Sequence, residues 1–574
     1  MTTANKYKIK NILVPQKKIN YQSLYDISEK SILPTLYQLV IKPNFDRNVF
    51  FGRIEIPLIV LNETNVIKFH SANLQITNVK VLIQDDSQEI KPSNVINDDF
   101  FETISLEFNE HFYKNQKPIL ILEYTGFINN EFHDKYEETV GFVKDSYITP
   151  NNEKKNIYYT KCLYSNSRRI FPCWDFPSLK VPVNLSLEIP NSMNALFNSE
   201  IKTITSNDDT QLKTIEFETT IPISTINIEL IIGEFNYIER LSEICLKTEK
   251  LPIRLYSVQP IELKQYENIL LITEQILYFQ EQYIKKEYIN KKIDIFLLPN
   301  YETYTREIER NSSIFMGSGT LGLHIFNKEK FNKVINQNTD YTILINNPTF
   351  IFSLSQEIAK TWIRNMISPS DLTEYWFFEA LATNIALLAL KESKMNFEYD
   401  MEYEFYKHYI IHALDSMKLL SPPRKEYDAF LKNIIDESQV FSGISIIKMF
   451  LDMYTIYNNI EYFYEEDAEE EEEEEDIEMN MDEDIEIELY DIKDTLREFI
   501  KRYENRSVKE GEFFRCFINQ FDKYTMANIF EFWISKAKGY PIIKILDEEY
   551  NIKKNKLAIH LQQLPKNQEE FQYL

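Results

Sequence analysis

The chain has 574 residues, 44% of them hydrophobic and 14% aromatic, which is too long for one ordinary core and too rich in Tyr and Phe for global disorder. Its formal charge is -26, but 17 acidic residues and no basic one lie between Glu465 and Glu488, so the rest carries only -9. A body this mildly acidic disfavours phosphate-tracking nucleic-acid binding, and four scattered cysteines (Cys162, Cys173, Cys245, Cys516) form neither a disulfide framework nor a Cys-x-x-Cys metal knuckle.

In chain order, residues 1–32 read as an N-terminal extension. Its opening, MTTANKYKIKNILVPQKK, lacks an apolar signal core, and runs such as NIALLAL are too short to span a bilayer. A soluble protein of the cytoplasm is expected, with the nucleus as the lesser alternative. Residues 33–239 alternate with period two, as where Ile54, Ile56, Leu58 and Val60 point one way and Arg53, Glu55 and Pro57 the other, which predicts a sheet domain. Breaks such as KPNFDRN and TPNNEKKN supply its turns.

Residues 240–464 read as a mixed second domain. Tyr266, Ile269, Ile272, Ile276, Phe279 and Tyr283 predict a long amphipathic helix, IDIFLLP a strand, and the remainder to about Tyr457 mostly helix. The acidic stretch 465–488 cannot bury like charges at that density and is expected to be a disordered insertion. It is suited either to a basic partner, such as a histone or ribosomal surface, or to solubilisation alone. Helical patterning resumes over 489–545, and 546–574, with KLAIHLQQL, reads as the start of a third β domain that the chain does not complete.

Three segments stand in a telling order: NSRRIFPCWDFPSLKVPVNLSLEIP (Asn166 to Pro190), IGEFNYIE (Ile232 to Glu239) and FSLSQEIAKTWIRNMISPSDLTEYWFFEALAT (Phe352 to Thr383). Together they resemble the aminopeptidase N family of zinc metallopeptidases, and within it the cytosolic puromycin-sensitive branch. The resemblance implies a multidomain α+β architecture: a saddle-like N-terminal β-sheet domain, a thermolysin-like α/β domain, and the start of a third β domain without the family's large helical C-terminal domain.

In the family an H-E-x-x-H helix supplies two zinc-binding imidazoles, with a glutamate nineteen residues after the second. The matching positions here are Gln356, Glu357, Lys360 and Glu379, with Lys360 and Glu379 nineteen residues apart. Gln356 offers a weak amide oxygen, and Lys360, whose ammonium has an ordinary pKa of about 10.4, brings positive charge where a divalent cation would sit. Glu357 matches the general base, which is vestigial without a metal-bound water to act on. Lys360 is expected either to pair with Glu357, Glu379 or both as a structural charge, or to form no more than a solvated pair with Glu357.

Other family positions have also changed. The amino-terminus-binding Gly-Ala-Met-Glu-Asn motif falls on Met316 to Thr320, just before Gly322 and Leu323, and its glutamate position is Gly319. A second amino-anchoring glutamate position falls on Leu163, and the transition-state tyrosine position on Val440. His408 and His412, at i and i+4 with Glu404 and Asp415 nearby, have metal-binding spacing but read better as an ordinary helix face. Cys162 and Cys173 read as core. The expectation is a catalytically inactive relative that needs no cofactor and binds an unknown peptide or protein, with neither nucleic acid nor membrane as partner. The alternative is a metallo-aminopeptidase removing N-terminal residues, as its relatives do.

Overall fold

The computed structural model describes residues 31–83, 88–130, 139–162, 165–244, 246, 249–258, 263–299, 317–319, 323–327, 348–393, 395, 400, 443–448, 451, 492–517, 542–551 and 556–564. The readings placed on Leu163, Cys245, Met316, Thr320, Gly322, His408, His412, Val440 and the acidic stretch lie outside these residues.

The first unit is built on a nine-stranded sheet. Its path runs Ile201–Asn207, Leu212–Phe217, Val183–Pro190, Tyr37–Asn44, Val49–Val60, Pro118–Phe127, Gln75–Ile83 and Gln88–Ile90, with Ile32–Pro34 paired to Val49–Val60. The period-two reading of Val49–Val60 matches its burial, since Ile54, Ile56, Leu58 and Val60 are all buried. Glycine is required at Gly52 because it faces Tyr124 across the strand pair, and a Cβ there would come within 2.1 Å of the Tyr124 ring. A five-stranded sheet (Asn129–Asn130, Gly141–Ile148, Lys154–Lys161, Leu230–Gly233, Asn194–Phe197), a three-stranded sheet (Thr64–His70, Thr103–Phe112, Asn94–Asp98) and the pair Lys180–Val181 with Ile223–Ser224 belong to the same unit.

The second unit opens with its own five-stranded sheet, in the order Asn236–Leu241, Pro252–Ser257, Ile293–Leu298, Leu323–Asn327 and Gly317–Gly319. The change of sheet therefore falls between Gly233 and Asn236, inside IGEFNYIE. Pro252–Ser257, Ile293–Leu298 and Leu323–Asn327 run parallel, and Ile293–Leu298 is buried at every position, as a strand covered on both faces requires.

Helix α1 (Leu263–Ile284) follows the predicted periodicity and buries Ile269, Ile272 and Ile276 against α2 (Pro348–Lys360) and α3 (Tyr375–Glu392). Helices α4 (Ile492–Tyr503) and α5 (Glu510–Phe517) add Phe499 and Phe513 to the same core. The last described residues form an antiparallel hairpin, Ile542–Asn551 with Lys556–Leu564. Strand thus begins at Ile542, where helical patterning was expected to reach 545.

Between the two units lies a third apolar cluster. Tyr147, Tyr159 and Ile231 of the first meet Phe235, Tyr256, Phe296 and Ile325 around the second sheet, with Phe235 edge-on to both Tyr256 and Phe296. Among the described residues no helix is long and apolar enough to cross a membrane.

Candidate functional site

The site is built by α2 and α3 and the turn between them. Helix α2 begins at Pro348, whose missing N–H is harmless in a first turn, and runs directly into a wider π-helical turn, Thr361–Met366. There Ile367 N–H donates to the Trp362 carbonyl at 3.0 Å, and the Asn365 amide donates to the Lys360 carbonyl at 3.2 Å. The chain reverses through Ser368–Pro369, Asp371 caps the next turn by accepting from Thr373 N–H at 2.8 Å, and α3 returns along α2.

This reversal brings Glu357, Lys360 and Glu379 together. Lys360 Nζ stands 2.8 Å from Glu357 Oε1 and 3.2 Å from Glu379 Oε2. Arg364 joins them: its Nη1 lies 3.0 Å from Glu379 Oε1, its Nη2 donates to Asn227 Oδ1 at 3.1 Å, and its guanidinium carbon lies 5.1 Å from the Tyr375 ring centroid. Lys360, Glu357 and Arg364 are nearly completely buried, and only the Glu379 side chain keeps as much as 12% exposure. Two carboxylates thus face two cations, so charge is balanced where isolated burial of any one would be costly.

The two glutamates respond differently. Burial pushes the Glu357 carboxyl above its ordinary range and Lys360 only partly offsets this. Burial acts on Glu379 in the same sense, but Lys360 and Arg364 together outweigh it and hold that carboxyl below the ordinary range. Gln356 donates its amide to Thr383 Oγ1 at 2.8 Å, and Thr383 Oγ1 in turn donates to the Glu379 carbonyl at 2.8 Å. The Gln356 Oε1 and Glu357 Oε2 atoms are buried and have no hydrogen-bond partner.

Beside α2 lies the edge strand Gly317–Gly319, whose Gly319 pairs in register with His324. His324 is buried, neither ring nitrogen has a hydrogen-bond partner, and burial together with the Lys360 charge pushes its pKa down to about 3. It is held as neutral imidazole.

Zinc, which the resemblance implies, can be tested against these side chains. The atom that α2 presents to both carboxylates is a protonated amine already within ion-pair distance of each, and Arg364 occupies the other Glu379 oxygen. An ammonium has no lone pair to give, so this set does not fit a divalent cation. Among the described residues no group of three or more His, Cys, Asp and Glu side chains could hold a metal.

Elsewhere, the segment NSRRIFPCWDFP forms a buried knot in the first unit. Arg168 Nε donates to Asp175 Oδ2 at 3.0 Å, Thr225 Oγ1 to Asp175 Oδ1 at 2.6 Å, and Trp174 N–H to Tyr37 Oη at 3.0 Å. Cys162 and Cys173 are buried, and burial pushes both thiols up, which suits packing and not nucleophilic chemistry. Of the site residues, Arg364, Asn227 and His324 were not anticipated. Arg364 lies one turn beyond Lys360 and could have been found by extending that face, whereas Asn227, 137 residues away, carries no local signal.

A β-sheet unit thus meets an α/β unit whose two packed helices hold paired glutamates. The Peptidase M1 N-terminal domain matches residues 33–226, and the chain is similar to aminopeptidases of the M1 type. It is 24% identical to aminopeptidase M1-A of Oryza sativa subsp. japonica over 363 residues (62% of this chain, 37% of that protein). It is likewise 24% identical to aminopeptidase M1 of Arabidopsis thaliana over 362 residues (63% and 37%) and to aminopeptidase N of Rattus norvegicus over 441 residues (73% and 42%). The chain spans less than half the length of each of these relatives.

Proposed function

We propose that this chain is a non-hydrolytic member of its family, a peptidase-like scaffold that binds a peptide or protein partner without cleaving it. The observation that supports this reading is the position of Lys360 Nζ between Glu357 and Glu379. Hydrolysis of an amide by this fold depends on a metal to polarise the carbonyl and to lower the pKa of a bound water to about 7. A general base acts only when that water lies within hydrogen-bond reach, and Glu357 is instead bound to an ammonium. With Arg364, Lys360 supplies two fixed positive charges opposite the two glutamates, so the fold keeps its electrostatic balance without the metal.

The experiment is hydrolysis of a panel of fluorogenic aminoacyl substrates by the full chain beside its Glu357→Ala variant. The reading predicts no turnover that the substitution removes. Turnover above background that disappears in Glu357→Ala would restore the metallo-aminopeptidase reading that the names of the relatives invite.

A further inference from the structure

The polar groups of the site do not end at the second unit. Arg364 Nη2 reaches Asn227 Oδ1 at 3.1 Å, and Asn227 belongs to a short turn of the first unit, Thr225–Asn227. That turn is fixed in its own unit: Thr225 Oγ1 donates to Asp175, Ser167 Oγ donates to the Thr225 carbonyl at 2.7 Å, and the Asn198 amide donates to the Asn227 carbonyl at 3.0 Å. A second contact closes the grip two residues beyond Arg364, where Lys180 Nζ donates to the Met366 carbonyl at 2.7 Å. The π-helical turn Thr361–Met366 is therefore held by side chains of the sheet unit near its middle and at its end. Hydrogen bonds and ion pairs, joined through the backbone of the turn Thr225–Asn227, thus lead from Asp175 by way of Arg364 to Glu379, Lys360 and Glu357.

We infer that Arg364 is the pin of a latch between the two units. By bridging Glu379 to Asn227 it makes the seating of the sheet unit and the integrity of the buried charge network a single cooperative element. One detail sharpens this. Asn227 Nδ2 is buried with no partner, so Asn227 meets the latch only as an acceptor, and an acceptor of greater charge should serve as well or better. The latch holds whether or not hydrolysis is lost, because it concerns packing and not turnover.

The test is hydrogen exchange resolved by peptide on the full chain. Asn227→Leu removes the acceptor from the first unit and should speed exchange in residues 356–366 of the second by about tenfold or more, the cost of losing a hydrogen bond to a charged group. Asn227→Asp should leave that exchange unchanged or slow it. Arg364→Met should speed exchange in residues 223–233, and the double variant with Asn227→Leu should be no faster than the faster single variant, since both remove one interaction. Changes confined to the unit that carries the substitution would overturn the inference, as would a double variant whose effect is the product of the singles. Should Arg364→Met not fold, the opposite behaviour of Asn227→Leu and Asn227→Asp decides alone.

Discussion

Lys360 is the residue on which the electrostatics of the buried site turn. Its ammonium compensates two carboxylates that burial would otherwise penalise, so Lys360→Met strands Glu357 and leaves Glu379 one of its two ion-pair partners, Arg364. Breaking a buried pair in this way costs about 3–5 kcal/mol. The thermal midpoint of Lys360→Met should fall accordingly, and adding Glu357→Gln should recover part of the loss by removing the uncompensated charge. His324 gives a prediction in pH. Its folded pKa of about 3 lies below its ordinary value of 6.5, so between these the unfolded chain binds the proton more readily and stability drops as pH falls from 6.5 towards 3. Urea denaturation across this range should show a shallower pH slope in His324→Leu. Of these two residues, the first was legible from its spacing to Glu379, since nineteen residues suffice to leave one helix, turn and return along it. His324 was not, because a lone histidine in a short apolar strand carries no sign of what lies over it.

At the scale of elements, α2, its π-helical turn and α3 form one device. Helix α3 is sealed from the other side by helical residues 443–448, where Gly443 lies so close to Trp376 that a Cβ would come within 2.5 Å of the indole ring. Gly443→Ala should therefore cost about 1–3 kcal/mol by overpacking, read as a lower midpoint of thermal unfolding. Helix α1 was legible because six apolar residues over five turns fix a period of 3.6. The strands Gly317–Gly319 and Leu323–Asn327 were not, since three to five residues are too few to show a period of two against a helical background. The π-helical turn leaves no mark in the apolar pattern either, because one extra residue in a single turn shifts the phase too little to read.

For the whole molecule, two sheet-containing units meet through an apolar cluster lined with aromatic rings and through the Arg364–Asn227 and Lys180–Met366 contacts. The alternation of the first unit and the segments that carry the family resemblance were readable directly, because burial on one face of a sheet imposes period two wherever it occurs. The contacts that join the units were not, since they link residues far apart in sequence and no local rule relates them. In the proposed reading, the ammonium of Lys360 stands between Glu357 and Glu379 in the place of a metal. Zinc content by elemental analysis of the full chain, purified without chelator, tests it most directly. Zinc far below one equivalent, unchanged by Glu379→Gln, is expected; one zinc per chain, lost in Glu379→Gln, would show that a metal still occupies the site.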